Sequence, residues 1–79
     1  NPLSVLERMG EILSLLRHTW SLLFSSIVGG ERSRAELVVT LLALLELVRL
    51  GQARARQGEL FGEIVIERND PEVTNAPTH

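Results

Sequence analysis

The stretch VVTLLALLELVRLG, residues 38–51, decides how this chain is read. Within it only Thr40, Glu46 and Arg49 are strongly polar, so the helix it encodes is apolar nearly all the way round. On a wheel of about 100° per residue, Leu37, Leu41, Leu44 and Val48 cluster within about 60°, flanked by Val38 and Leu45. That cluster is the expected core face. The opposite side carries Val39, Leu42, Ala43, Glu46 and Leu50, where a small two-layer domain normally meets water. A contiguous apolar surface on a small protein marks a partner site, and these five residues are the candidate partner-binding set. The alternative is that the second face is also core, covered by the first helix or the C-terminal residues.

The signals around this helix are strong. Ser33 stands three residues before Glu36, the capping-box spacing, so the helix is expected over Arg34 to Leu50, and Gly51 occupies the position of a left-handed closing residue. Upstream, Ser4 and Glu7 repeat the box spacing, and Val5, Leu6, Met9, Ile12, Leu13 and Leu16 form one apolar stripe. RHTW (residues 17–20) breaks that stripe and is expected as a short strand. SLLFSSIV (residues 21–28) then has room for a two-turn helix capped by Ser21 and stopped at Gly29-Gly30. Downstream, ARARQ (residues 53–57) and EIVIER (residues 63–68) alternate as strands around the GELFG loop, which is a hairpin. Ile64 and Ile66 share one face; Glu63 and Glu67 share the other, opposite Arg54 and Arg56. Phe61 is expected to fold back and anchor the hairpin. Residues 70–79, NDPEVTNAPTH from Asn69 onward, have no periodicity and are expected as a disordered tail.

The order helix, short strand, helix, helix, hairpin is that of a winged helix. The fold class is therefore α+β, mainly α, with one domain over residues 1–69. A chain of 79 residues supports one lean core. It has no cysteine, which excludes disulfides and thiolate metal sites and fits a reducing cytoplasm. All eight basic residues are arginines and the net charge is −2, which offers no general attraction to nucleic acid or anionic lipid. The apolar run is shorter than the roughly 20 residues that span a bilayer. The chain begins with Asn1 and shows no signal-peptide pattern, so it is expected to be part of a longer protein.

The two motifs in the third helix and hairpin resemble those of the C-terminal domain of the bacterial kleisins, the segregation and condensation protein A (ScpA) family. Leu42, Ala43, Leu44, Leu45, Glu46 and Leu47 match the L-A-L-L-E-L motif, and Gln57, Phe61, Gly62 and Ile64 match Q-x-x-x-F-G-x-I. Leu41 stands where the family usually has phenylalanine. The resemblance is strong from about Val38 to Glu67, while the first helix agrees in pattern and position. It implies a non-catalytic domain that docks on the cap surface of an SMC ATPase head and helps close the SMC–ScpAB ring in chromosome condensation and segregation. It also implies ScpB as a partner through other parts of the full protein, and a cytoplasmic, nucleoid-associated location.

Other functions have less support in the residues. A DNA-reading third helix needs Arg, Lys, Asn or Gln toward base edges, whereas this one offers Val39, Leu42, Ala43 and Glu46. Arg54 and Arg56 are the best case for nucleic acid, and pairing across the hairpin accounts for them. His18 and His79 lie in no metal-ligand spacing, Gly29-Gly30 lacks the lysine of a phosphate loop, and no nucleophile is paired with a base. No cofactor, metal, membrane partner or catalytic residue is expected. Self-association through the apolar face remains a third possibility.

Overall fold

The computed structural model describes residues 4–69; the expected tail at residues 70–79 lies outside them. Helix α1 (Val5–Thr19) starts where its box predicts. Ser4 Oγ accepts the Glu7 amide at 3.0 Å, and the Ser4 amide donates to Glu7 Oε1 at 3.1 Å. The helix runs through the residues expected to form a strand. It ends at Trp20, where φ of 71° turns the chain, and strand β1 follows at Ser21–Leu23. Ser21 is therefore no cap. The short helix α2 (Phe24–Gly29) has Leu23 at its N-cap position, without a side-chain hydrogen bond. The displacement has a clear cause: β1 completes a sheet, pairing Leu22 with Ile66, and that pairing holds SLL extended.

Helix α3 (Arg34–Arg49) is closed by Leu50 and by Gly51 at φ 77°. Ser33 Oγ accepts the Glu36 amide at 3.1 Å, but the Glu36 carboxylate reaches back to the Arg32 amide at 2.9 Å, one residue beyond the expected partner. Strands β2 (Ala53–Gln57) and β3 (Ile64–Arg68) form the hairpin as read. With β1 they make an antiparallel sheet ordered β1-β3-β2. Three helices and this small sheet give the winged-helix arrangement.

The core sits between α1, α3 and one face of the sheet. Met9, Ile12 and Leu16 of α1 meet Ala43, Leu44 and Leu47 of α3, with Ala53 and Ile66 beneath them. This corrects the wheel. The buried face of α3 is Thr40, Ala43, Leu44 and Leu47, rotated by about a quarter turn from the expected one. Val38, Leu45 and Val48 are exposed, Leu37 and Leu41 are half-buried, and only Leu44 is buried as expected. Small side chains explain the rotation, because Ala43 and Thr40 leave little bulk between the two helices. The Thr40 hydroxyl, fully buried, donates to Glu31 Oε2 at 2.5 Å, which removes the cost of an unpaired polar group. Arg8 lies 3.5 Å from the same carboxylate and 3.2 Å from Glu11, so the loop before α3 is tied to both long helices.

A substitution pair checks the rotated face. Leu47→Ala should destabilise the domain by about 3 kcal/mol, because a fully buried leucine leaves a cavity. Val48→Ala should cost under about 1 kcal/mol in urea melts. Equal losses would contradict the placement.

Candidate protein docking surface

The candidate residues separate in the structure. Leu42 is exposed, at 49%, as expected. Ala43 is fully buried against α1 and is withdrawn from the partner-binding set. Val39 and Glu46 are half-buried, and Leu50 is exposed as the residue that closes the helix. Glu46 is engaged within α3: Arg49 Nε donates to its Oε1 at 2.9 Å, and Arg49 Nη2 bonds Oε2 as well. That hydrogen bonding holds the Glu46 carboxyl below its ordinary range and the Arg49 guanidinium above its own. The pair presents little net charge.

The exposed apolar band lies elsewhere on the helix. Val38, Leu42, Leu45 and Val48 occupy a sector roughly opposite the buried face. Of these, the sequence places only Leu42 outside, because a wheel centred on Leu37, Leu41, Leu44 and Val48 gives Thr40 and Ala43 no weight as core. Beside the band an apolar cleft of about 140 Å³ opens between α3, α2 and the hairpin. Leu41, Leu44, Leu45 and Val48 form one wall, Phe24 the second, and Ala55, Ile64 and Ile66 the third. The helix surface thus continues onto the hairpin.

The hairpin tip overturns a second expectation. Phe61 does not fold back: its side chain is 93% exposed, and Leu60 beside it is 79% exposed. The cause is in the turn. The Gly62 amide donates to the Glu59 carbonyl at 2.9 Å, and Gln57 Nε2 donates to the Gly62 carbonyl at 2.8 Å. A Cβ at Gly62 would sit 2.9 Å from Glu59 Cγ and 3.0 Å from Glu59 O, so glycine serves close approach there. The left-handed conformation falls instead on Phe61, with φ of 63°, where a side chain costs about 1 kcal/mol or more.

The charged groups on the facing strands of the hairpin are used internally. Arg54 and Arg56 both approach Glu67, at 3.5 and 2.6 Å. Glu63 takes no arginine, contrary to the cross-strand expectation. Its carboxylate accepts the Ser25 amide at 3.2 Å and the Ser25 hydroxyl at 2.9 Å, tying the hairpin to the first turn of α2. His18 is exposed and donates from Nδ1 to the Ser14 carbonyl at 2.8 Å within its own helix. Among the described residues no group of three or more His, Cys, Asp or Glu side chains could hold a metal ion, and no helix is long and apolar enough to cross a membrane.

The fold and this surface define a winged-helix domain whose third helix presents leucine and valine where a base-reading helix presents polar groups. No family model matches the chain. Curated relatives do. The segregation and condensation protein A of Caldanaerobacter subterraneus subsp. tengcongensis is 40% identical over 63 residues, 80% of this chain and 26% of that protein. The Brevibacillus brevis protein of the same name is 36% identical over 72 residues, 91% of this chain and 28% of that protein. That of Lactococcus lactis subsp. lactis is 47% identical over 47 residues, 60% of this chain and 19% of that protein. The chain belongs to the segregation and condensation protein A family, and spans between 19% and 28% of the length of these relatives.

The strained tip gives a prediction. Phe61→Gly should leave the domain as stable as before or stabilise it by up to about 1 kcal/mol, because glycine relieves the left-handed backbone and no packing is lost. A loss above about 1 kcal/mol in denaturant unfolding would place the ring in the fold.

Proposed function

We propose that this domain is a non-catalytic kleisin module that docks on the cap surface of an SMC ATPase head, helping to close an SMC–ScpAB ring in chromosome condensation and segregation. ScpB would be engaged by other parts of the longer protein. The observation that carries the reading is the band of Val38, Leu42, Leu45 and Val48, each at least 40% exposed, on a helix whose opposite side fills the core. Leu42, retained from the sequence reading, stands in that band, with Glu46, Val39 and Leu50 along its flank. Completing the burial of a leucine contributes roughly 1 kcal/mol or more per side chain, so a few such residues suffice for a specific contact once surrounding groups exclude water. The relatives' names, segregation and condensation protein A, support the same process.

A DNA-reading function is disfavoured by the same residues. The outer face of α3 is largely leucine and valine, its Arg49 is engaged by Glu46, and Arg54 and Arg56 of the hairpin lie against Glu67. Their phosphate contacts would have to displace that carboxylate.

Size-exclusion chromatography and calorimetry with a purified SMC head test the proposal. Leu42→Glu should retain the helical circular dichroism spectrum and weaken head binding at least about a hundredfold, since a carboxylate would be desolvated without a partner. Leu44→Glu should unfold the domain, because its position is buried in the core. Head binding should weaken only modestly from low to physiological salt. Wild-type affinity in Leu42→Glu would move the docking site off α3, and a steep salt slope with duplex DNA tighter than micromolar would favour nucleic acid instead.

A further inference from the structure

Leu60 and Phe61 are the two most exposed large apolar side chains among the described residues, and they are consecutive. Exposure at a loop tip would mean little alone. Here it coincides with a backbone that resists the residue it carries. A φ of 63° favours glycine or asparagine, and the turn holds Phe61 in it. The turn is fastened on both sides of the ring by the Gly62 to Glu59 backbone bond and by the Gln57 side chain on the Gly62 carbonyl. The fastened backbone thus projects a bulky aromatic away from the domain. An outlier of this kind at a fastened turn points to use by a ligand or partner, and preorganised aromatics are the commonest hot spots of protein interfaces.

Two further observations define what receives it. The loop joins the strands whose residues Ala55 and Ile64 line the cleft beside Leu45 and Val48, so the apolar surface of α3 leads along the hairpin toward the tip. Glu59, two residues before the ring, is exposed and forms no ion pair among the described residues, while Arg54 and Arg56 are both directed to Glu67. The tip is an aromatic beside an unneutralised carboxylate.

We propose that Phe61 is a second anchor: it inserts into an apolar pocket with a cationic rim on the same SMC head that α3 engages. This rests on the head-docking reading and specifies its second point of contact. Leu60 covers the pocket edge and Glu59 faces the cation. Two anchors on separate elements fix the orientation of the domain, which a single apolar helix face leaves free to rotate.

The test is calorimetry of the wild-type chain and three variants against a purified SMC head, with a thermal melt of each. Phe61→Ala should melt like wild type and bind at least about tenfold more weakly. Glu59→Arg should also bind more weakly, with the loss shrinking as salt is raised. Leu42→Glu reports the α3 contact separately. If wild type binds, Leu42→Glu does not, and Phe61→Ala binds like wild type, the second anchor is overturned and head docking stands. If wild type fails to bind the head, the head-docking reading falls and this proposal with it. Should Phe61→Ala melt early, a photo-crosslinking phenylalanine at position 61 replaces it: a crosslink to the head supports insertion, and its absence in a formed complex overturns it.

Discussion

The close packing of α1 on the Thr40 and Ala43 side of α3 is the constraint on which the rest of this domain depends. Both residues are fully buried. Small side chains there let Ile12 and Leu16, also almost wholly buried, share one core with Leu44 and Leu47. The Thr40 hydroxyl would be costly at such a depth without an acceptor, and Glu31 provides one at 2.5 Å. Glu31 in turn lies beside Arg8 of α1. The residues that rotate α3 into place therefore also fix the loop that precedes it.

Once α3 is set in that rotation, its outward side follows without further choice. Leucines that would have filled a core in another orientation stand at the surface or along the cleft shared with Phe24, Ala55 and Ile64. A domain this small has one core and cannot cover a second face of the same helix. Its hairpin does not supply the cover either, because the Ser25 to Glu63 bonds and the Arg54, Arg56 and Glu67 group organise it for its own stability. The exposed apolar surface is then a property of the packing, and the proposed docking role gives that property a use.

Much of this was legible in residue spacing. The caps at Ser4 and Ser33, the start of α3, the left-handed Gly51 and both hairpin strands lie where local chemistry puts them, since each depends on neighbours within a few residues. Most of what failed depended on distant partners. SLL is a strand because Leu22 meets Ile66, far along the chain. The α3 wheel misplaced its core because Thr40 counts as polar until Glu31 is seen beside it, and because alanine carries little hydrophobic weight even where it permits the closest contact. Ala43 was lost from the docking set for that reason, while Leu42 remained. Phe61 was misread through Gly62: the glycine serves close packing against Glu59, and the aromatic itself takes the left-handed turn.

The most direct measurement is methyl NMR of the isotope-labelled chain with and without an SMC head, observing every leucine and valine at once. Shifts and broadening at Val38, Leu42, Leu45 and Val48 and at Leu60 on the hairpin tip, with the Leu47 methyls little changed, are the predicted result. Changes concentrated at Leu6 and Leu15 on the outer side of α1, with the α3 band unaffected, would contradict the assignment of one face of α3 to the core and the other to a partner.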